Sequence, residues 1–289
     1  MHIDQCLLPT KTFNAIDGVR IEIFGRSTGN GRATRSWSMR SLSTPEHERP
    51  PDWGERCEQI LRLASAHGSK RVLVPLPFRF NARIVTRDHL RETVCIYHGI
   101  PLRTGAFADG IVLPRNTASF HPSGDCPTII AKDERNGVVI TAHAGRDSLV
   151  DRGAIEGRRP RQWQSVVDSI CARMKEISAV HVAIVCGIGP SFFCHSWDHP
   201  KHGSRNRRLI HYIVHRWGTD CILGHPAEGR INLTTLIRKQ FATHGISPDN
   251  IAADGVDTYA DTGEDGQPLF YSHHRGDEER NGVLVVRVR

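Results

Sequence analysis

Two β-rich runs, Thr128–Ala131 and Gly137–Ala142, flank a short polar turn that contains Asn136–Gly137. Asn-Gly between apolar runs is a strong hairpin signal, because both residues accept positive φ at low cost. Asp125–Cys126 precedes the first run and His143 follows the second. Antiparallel pairing therefore returns the chain so that Cys126 and His143, 17 residues apart, meet at one end of the ladder. Whatever the rest of the chain does, it has to accommodate a thiol beside an imidazole at that end.

The surrounding sequence supplies alternating helices and strands. Gly18–Gly25 alternates polar and apolar residues and reads as an early strand, followed by a polar stretch over about 26–54. Glu55–His67 places Cys57, Ile60, Leu61 and Ala64 on one helical face and stops before Gly68. Arg71–Val85 is β-rich, with Pro75 and Pro77 marking an edge or a bend. A helix is predicted over Gln162–Ser178, leading into Val180–Cys186, an apolar run suited to a strand buried on both faces. Further helices are predicted from Arg205 to Trp217 and from Leu233 to His244, and a strand over Gly282–Val288. Alternation of this kind indicates an α/β or α+β class. No repeat or linker interrupts it, so one domain over 1–289 is expected, with its core from about residue 20.

Composition narrows the partners. The 289 residues carry 38 Lys and Arg against 31 Asp and Glu, a net charge of +7, which favours anionic ligands. The excess is densest at Arg158, Arg159 and Arg161 and at Lys201, Arg205, Arg207 and Arg208. Neither cluster is interleaved with aromatics, so solvated basic surface is the plain reading and nucleic acid is set aside. No apolar run reaches the roughly 20 residues of a membrane span, and the first residues lack a secretory pattern. Eight dispersed cysteines without a CxxC pair read as reduced thiols, the usage expected of a cytoplasmic protein.

A Cys–His pair has two chemical uses. As thiolate and imidazolium it is a nucleophile with its general base. As thiolate and neutral imidazole it is two ligands of a zinc or copper site that lacks a third. The plain alternative is a buried thiol packed beside a hydrogen-bonded histidine. Gly124 and Gly145 flank the pair, and small residues at strand ends let a ligand come close to the backbone. Elsewhere His211 and His215, and likewise His195 and His199, are four apart, but neither pair encloses the Glu of a metalloprotease helix.

In order along the chain, four blocks resemble the laccase-domain family, also called multicopper polyphenol oxidoreductases and described as purine nucleoside phosphorylases or a peptidoglycan-editing factor. Gly124–Asp125–Cys126 is similar to its Ala-Asp-Cys block, and Ala142–His143–Ala144–Gly145 to its His-Ala-Gly-Trp-Arg-Gly block. Gly187–Ile188–Gly189–Pro190 is similar to its Ile-Gly-Pro block, and Phe270–Tyr271–Ser272 with Arg275 to its Phe-Ser-Tyr-Arg-Arg block. Ala108–Asp109–Gly110 is a weaker fifth match.

The resemblance implies a single-domain α/β sandwich of mixed sheets flanked by helices, holding a zinc on His, Cys and His. It implies phosphorolysis or deamination of adenosine- or inosine-type nucleosides, with phosphate as co-substrate. Copper is the lesser candidate, since the His-x-His pairs of true multicopper oxidases are missing. On this reading Cys126 and His143 are metal ligands and catalytic groups, and Asp125 orients a ligand or accepts a proton. Arg146 and Arg275 are anion clamps, while Ser272 and His273 line the substrate side.

This chain departs from the family pattern at the site. The block Gln-Val-His-Gly, which carries the first histidine ligand, aligns with Phe78–Arg79–Phe80–Asn81 and puts Phe80 at the histidine. Tyr97–His98–Gly99 keeps a His-Gly pair, so His98 is the expected third ligand, with His121 as another candidate. Arg146–Asp147–Ser148 stands where Trp-Arg-Gly belongs, and His273–His274 replaces Tyr-Arg. Two other functions stay open: a metal-free hydrolase or deamidase using Cys126 and His143, as in deamidating toxins of similar fold, and a non-catalytic binding protein. The oligomeric state is open.

Overall fold

The computed structural model describes residues 9–26, 53–77, 81–189 and 196–288. Its strands are β1 (Lys11–Ile16), β2 (Val19–Phe24), β3 (Val72–Leu73), β4 (Ile84–Val85), β5 (Glu92–Tyr97) and β6 (Ile100–Thr104). They continue with β7 (Gly110–Val112), β8 (Thr117–Ser123), β9 (Thr128–Asp133), β10 (Val138–His143) and β11 (Val180–Val185). The last are β12 (Ile222–Leu223), β13 (Arg230–Ile231), β14 (Ile251–Ala253) and β15 (Asn281–Arg287). The helices are α1 (Trp53–Ala66), α2 (Arg146–Leu149), α3 (Arg152–Ile155), α4 (Val166–Cys171), α5 (Gly203–Trp217) and α6 (Leu233–Thr243).

Two mixed sheets stack face to face. One has the order β1-β2-β15-β8-β3-β6-β5 and the other β14-β11-β9-β10-β7-β4. Side-chain alternation along the central strands explains the layering. In β15, Val283 and Val285 join Ile21, Ile23, Ile130 and Val139 in the apolar layer between the sheets. Their neighbours Leu284 and Val286 point the other way, against Ile60, Leu61 and Ala64 of α1. In β11, Ala183 and Val185 face the inner layer, while Val182 and Ile184 face the helices α4, α5 and α6. Strands buried on both faces need apolar residues at nearly every position, and Val180–Val185 supplies five of six, with half-buried His181 as the exception. The result is the expected α/β sandwich with mixed sheets flanked by helices.

The local expectations hold for most elements, with informative exceptions. The predicted hairpin is β9–β10, with Asn136–Gly137 in its turn and Gly137 at φ +64°. The β-rich segment 71–85 is two short strands in different sheets, and residues 78–80 between them lie outside the described set. The polar stretch around 26–54 also lies largely outside it. The helix predicted over 162–178 shrinks to α4. A capping box between Ser165 and Asp168 starts it, and it ends after one and a half turns. Just beyond, the amides of Lys175 and Glu176 bond Asp133 of β9 instead of continuing the helix. Among the described residues, no helix is long and apolar enough to cross a membrane.

Candidate functional site

The β9–β10 ladder pairs His143 with Thr128, so Cys126 sits just past the end of the register. The Ala144 amide closes that end on the Pro127 carbonyl, 2.8 Å away. Asp125 anchors the approach to Cys126: its carboxylate accepts from Thr258 Oγ1 and the His274 amide, both at 2.8 Å. Its carbonyl accepts the Ile188 amide. Three segments are thereby fastened beside the cysteine by Asp125, which is buried with each carboxylate oxygen accepting one hydrogen bond.

Cys126 and His143 do meet. Both crowd Gly145: a Cβ built there would lie 2.9 Å from Cys126 Sγ and 2.8 Å from His143 Cε1. The imidazole hydrogen-bonds the thiol on this side and presents Nδ1 to Asp109 on the other, 3.7 Å from Oδ1. Burial opposes a charged ring here, but the neighbouring Cys126 and the Asp109 carboxylate outweigh it and raise the His143 pKa to about 10. Cys126 is half-buried while His143 is buried, so the cysteine is the more exposed residue of the pair.

Asp109 is the functional residue that sequence reasoning left without a role. It precedes β7, is fully buried, and its main chain accepts the His143 amide. Its carboxylate is held in place by Ser148 Oγ at 2.7 Å and the Ala82 amide at 2.6 Å. Ser148 comes from α2, whose first turn starts at Gly145. The weak Ala108–Asp109–Gly110 match contains this carboxylate, which faces the imidazole at 3.7 Å. Behind the pair, His121 is fully buried, bonded through Nε2 to Thr141 Oγ1 at 2.9 Å. Burial, and then the charge of His143, push its pKa down to about 3, so it stays neutral. Its Nε2 is engaged with Thr141 rather than turned to the thiol.

His98 is not part of this site. Tyr97 and Ile100 pair across a two-residue turn in which His98 (φ +46°) and Gly99 (φ +79°) both adopt positive φ. That is the geometry of a type I′ hairpin, so the His-Gly pair is turn chemistry at the exposed β5–β6 edge, not a ligand block. Among the described residues, no group of three His, Cys, Asp or Glu side chains could hold a metal ion. Ala82, the second described residue after Phe80, adopts positive φ (+56°). Phe80 and His195 lie outside the described residues. Asn81 uses its amide on the Arg83 amide and the Phe107 carbonyl. Cys126 and His143 stand together, and no third His, Cys, Asp or Glu among the described residues makes a metal-holding group with them.

The expected anion clamps are differently employed. Arg146, next to Gly145, grips Asp147 through two bonds of 2.7 and 2.8 Å. Arg275 braces a turn, donating to the carbonyls of Tyr259 and Phe270 and to Asp277 Oδ2. Ser272 is buried in the same turn, its hydroxyl accepting the Arg275 amide. Burial works to raise the Asp277 pKa, and the Ser272 amide with Arg26 and Arg275 lowers it below the usual carboxylate range. Arg275 and Ser272 are both engaged within this turn. His273 is exposed, with its Cβ 3.2 Å from where a Cβ on Gly124 would stand, two residues from Cys126.

The fold has counterparts among solved structures. The fold is similar to the Neisseria meningitidis protein NMB0706, a DUF152 protein, with a TM-score of 0.64 at 16% identity, covering 96% of this chain and 99% of that one. YlmD from Geobacillus stearothermophilus is similar over 94% of this chain and 93% of its own, with a TM-score of 0.61 at 16% identity. The Bacillus licheniformis protein YfiH gives a TM-score of 0.57 at 15% identity, with the same coverage. A comparison with curated protein sequences gives no match. The model of the multi-copper polyphenol oxidoreductase laccase family matches residues 81–288, which include Asp109, Cys126 and His143, and the chain belongs to that family.

Proposed function

We propose that this chain is a cysteine-dependent hydrolase that cleaves a carbon–nitrogen bond, with Cys126 as nucleophile, His143 as general acid and base, and Asp109 as the positioning residue. The observation that carries this is the His143 imidazole beside Cys126 Sγ at Gly145, with its Nδ1 facing the Asp109 carboxylate at 3.7 Å. An orienting carboxylate behind a base that faces a nucleophile is the arrangement that activates a thiol. The thiolate adds to a trigonal carbon bearing an amino group, such as a carboxamide or the amidine carbon of a purine. Imidazolium protonates the departing amine as the carbon–nitrogen bond breaks. The same imidazole then takes a proton from water, which releases the product from sulfur. One water is consumed and one ammonia formed.

A second reading is carried by family membership: a zinc-dependent enzyme acting on purine nucleosides, with phosphate as co-substrate. Zinc would sit on Cys126 and His143 and supply Lewis acidity. Since the described residues offer no third ligand beside those two, no step is derived through it.

Ammonia release from adenosine and from a glutamine peptide, measured alongside zinc content, separates these readings. The hydrolase reading expects turnover without stoichiometric zinc, loss of turnover in Cys126→Ser, and alkylation of Cys126 by iodoacetamide that slows about tenfold in His143→Ala. One zinc per chain, lost in Cys126→Ala together with nucleoside turnover, transfers the assignment to the second reading. No turnover and a thiol inert to iodoacetamide would leave a binding protein on this scaffold.

A further inference from the structure

The two basic stretches that the sequence keeps apart come together in the fold. α3 packs against α5, and Glu156, just past α3, pairs with both Arg158 (2.9 Å) and Arg205 (2.7 Å). Beside this contact lies an open groove of about 660 Å³ with Ala154 and Ile155 on one side. Arg207, Arg208, Arg216 and Tyr212 of α5 form the other side. α5 has four arginines and two histidines, and not one carboxylate. Among the described residues, no acidic side chain pairs with Arg207, Arg208 or Arg216, which are all exposed, so their charge is left for an external anion.

The dimensions select the kind of anion. From Arg207 to Arg216 is about 13 Å along a helix, the length over which one strand of a duplex carries about four phosphates. A single small anion would reach only part of that row. An anionic membrane is a poor fit, because among the described residues the exposed large apolar side chains are Ile96, Phe107, Leu223 and Val288, none on α5. The sequence places Tyr212 between Arg208 and Arg216, and the fold adds Trp197 to Arg207. The Arg207 guanidinium lies 4.8 Å over the ring of Trp197, which stacks on His211 at 5.3 Å, and Tyr212 lines the groove. Cations in a row with flat rings between them form the surface that holds a sugar–phosphate strand and stacks its bases.

We propose that the groove along α5 binds a single-stranded nucleic acid, with Arg207, Arg208 and Arg216 on the phosphates and the Tyr212 and His211 rings that line the groove beside the bases. The surface is separate from the Cys126–His143 pair, so the proposal stands or falls independently of the hydrolase reading.

The test is fluorescence anisotropy with a labelled oligouridylate of about 20 nucleotides and the full chain, at about 50 to 200 mM salt. Three phosphate contacts predict a log–log salt slope of about −2 for a single strand. Replacing all three residues (R207Q/R208Q/R216Q) should weaken binding at least about tenfold and flatten the slope, while the triple lysine variant retains the slope. The proposal is overturned if the glutamine variant binds like the parent, or if no binding is seen at about 50 mM salt. Displacement of the strand by inorganic phosphate at constant ionic strength would also overturn it, in favour of a single-anion site. So would binding of phosphatidylserine vesicles without RNA binding. A duplex bound as tightly as the single strand would overturn the stacking role.

Discussion

The carboxylate of Asp109 stands 3.7 Å from Nδ1 of His143 while being pinned from two other directions, by the Ser148 hydroxyl and the Ala82 amide. Under the proposed hydrolase mechanism, a carboxylate fixed this way would favour one orientation of the imidazole toward Cys126.

Asp109→Asn keeps the size of the side chain but removes its charge. We expect turnover, and the rate of Cys126 alkylation, to fall about 10² to 10⁴-fold, with the amide holding the ring in the wrong tautomer. The pH profile of alkylation should shift as well, which a purely structural role would not cause. Ser148→Ala should give a smaller loss in the same direction. Equal alkylation profiles for Asp109→Asn and parent would remove Asp109 from the mechanism.

Gly145→Ala tests the space between thiol and ring. Gly145 has φ −68°, so a methyl group costs nothing in backbone conformation. That methyl would sit under 3 Å from both Cys126 Sγ and His143 Cε1 and must push them apart. Turnover should drop at least about 100-fold, because small displacements of reacting groups are costly. Stability should fall only by the 1–3 kcal/mol, roughly, of mild overpacking. Thermal melts and turnover measured on one preparation distinguish the two effects.

His98→Asn should leave zinc content and turnover unchanged. Asparagine accepts the φ of +46° more readily than histidine, so stability should hold or rise by a few tenths of a kcal/mol, roughly. Loss of bound metal in this variant would restore His98 as a ligand.

Asp133 ties the turn after β9 to the segment after α4. Its carboxylate accepts the amides of Arg135, Asn136, Lys175 and Glu176 and the Asn136 side chain, at 2.9–3.2 Å. Burial works to raise its pKa, and these bonds outweigh burial and lower it. A depressed folded pKa means the stabilisation is present above the unfolded value, about 3.9, and is lost as pH falls through the folded one. Urea melts should therefore show acid destabilisation below about pH 4 that Asp133→Asn lacks, with Asp133→Asn about 1–3 kcal/mol less stable at pH 7. Parallel acid profiles for the two chains would refute this.

What was legible in the sequence was what local chemistry decides. Asn136–Gly137 set the hairpin, the hairpin's register brought Cys126 to His143, and the largely apolar Val180–Val185 run announced a strand covered on both sides. Distant partners were not legible. The predicted helix over 162–178 has good periodicity through Ser178, but Asp133, some 40 residues earlier, captures the amides it needs. Asp109 reads as an ordinary acid until β7 pairs with β10 and sets it beside His143. His98 misled because His-Gly serves a hairpin turn as well as a metal site, and only φ separates the two uses. The basic clusters looked like solvated surface because an aromatic partner, Trp197, arrives through tertiary packing.

The place of β15 in the larger sheet carries a consequence for how the protein comes into being. It is hydrogen-bonded on one side to β2 and on the other to β8, partners about 260 and 160 residues earlier in the chain. Until that strand is made, β1–β2 and the β8-β3-β6-β5 half have no shared ladder, and two apolar edges stand open. Such long-range closure is slow and leaves edge strands exposed to other chains. During synthesis the nascent chain would carry its Cys–His hairpin early and its finished sandwich late, with a window in which it depends on chaperones to stay unaggregated.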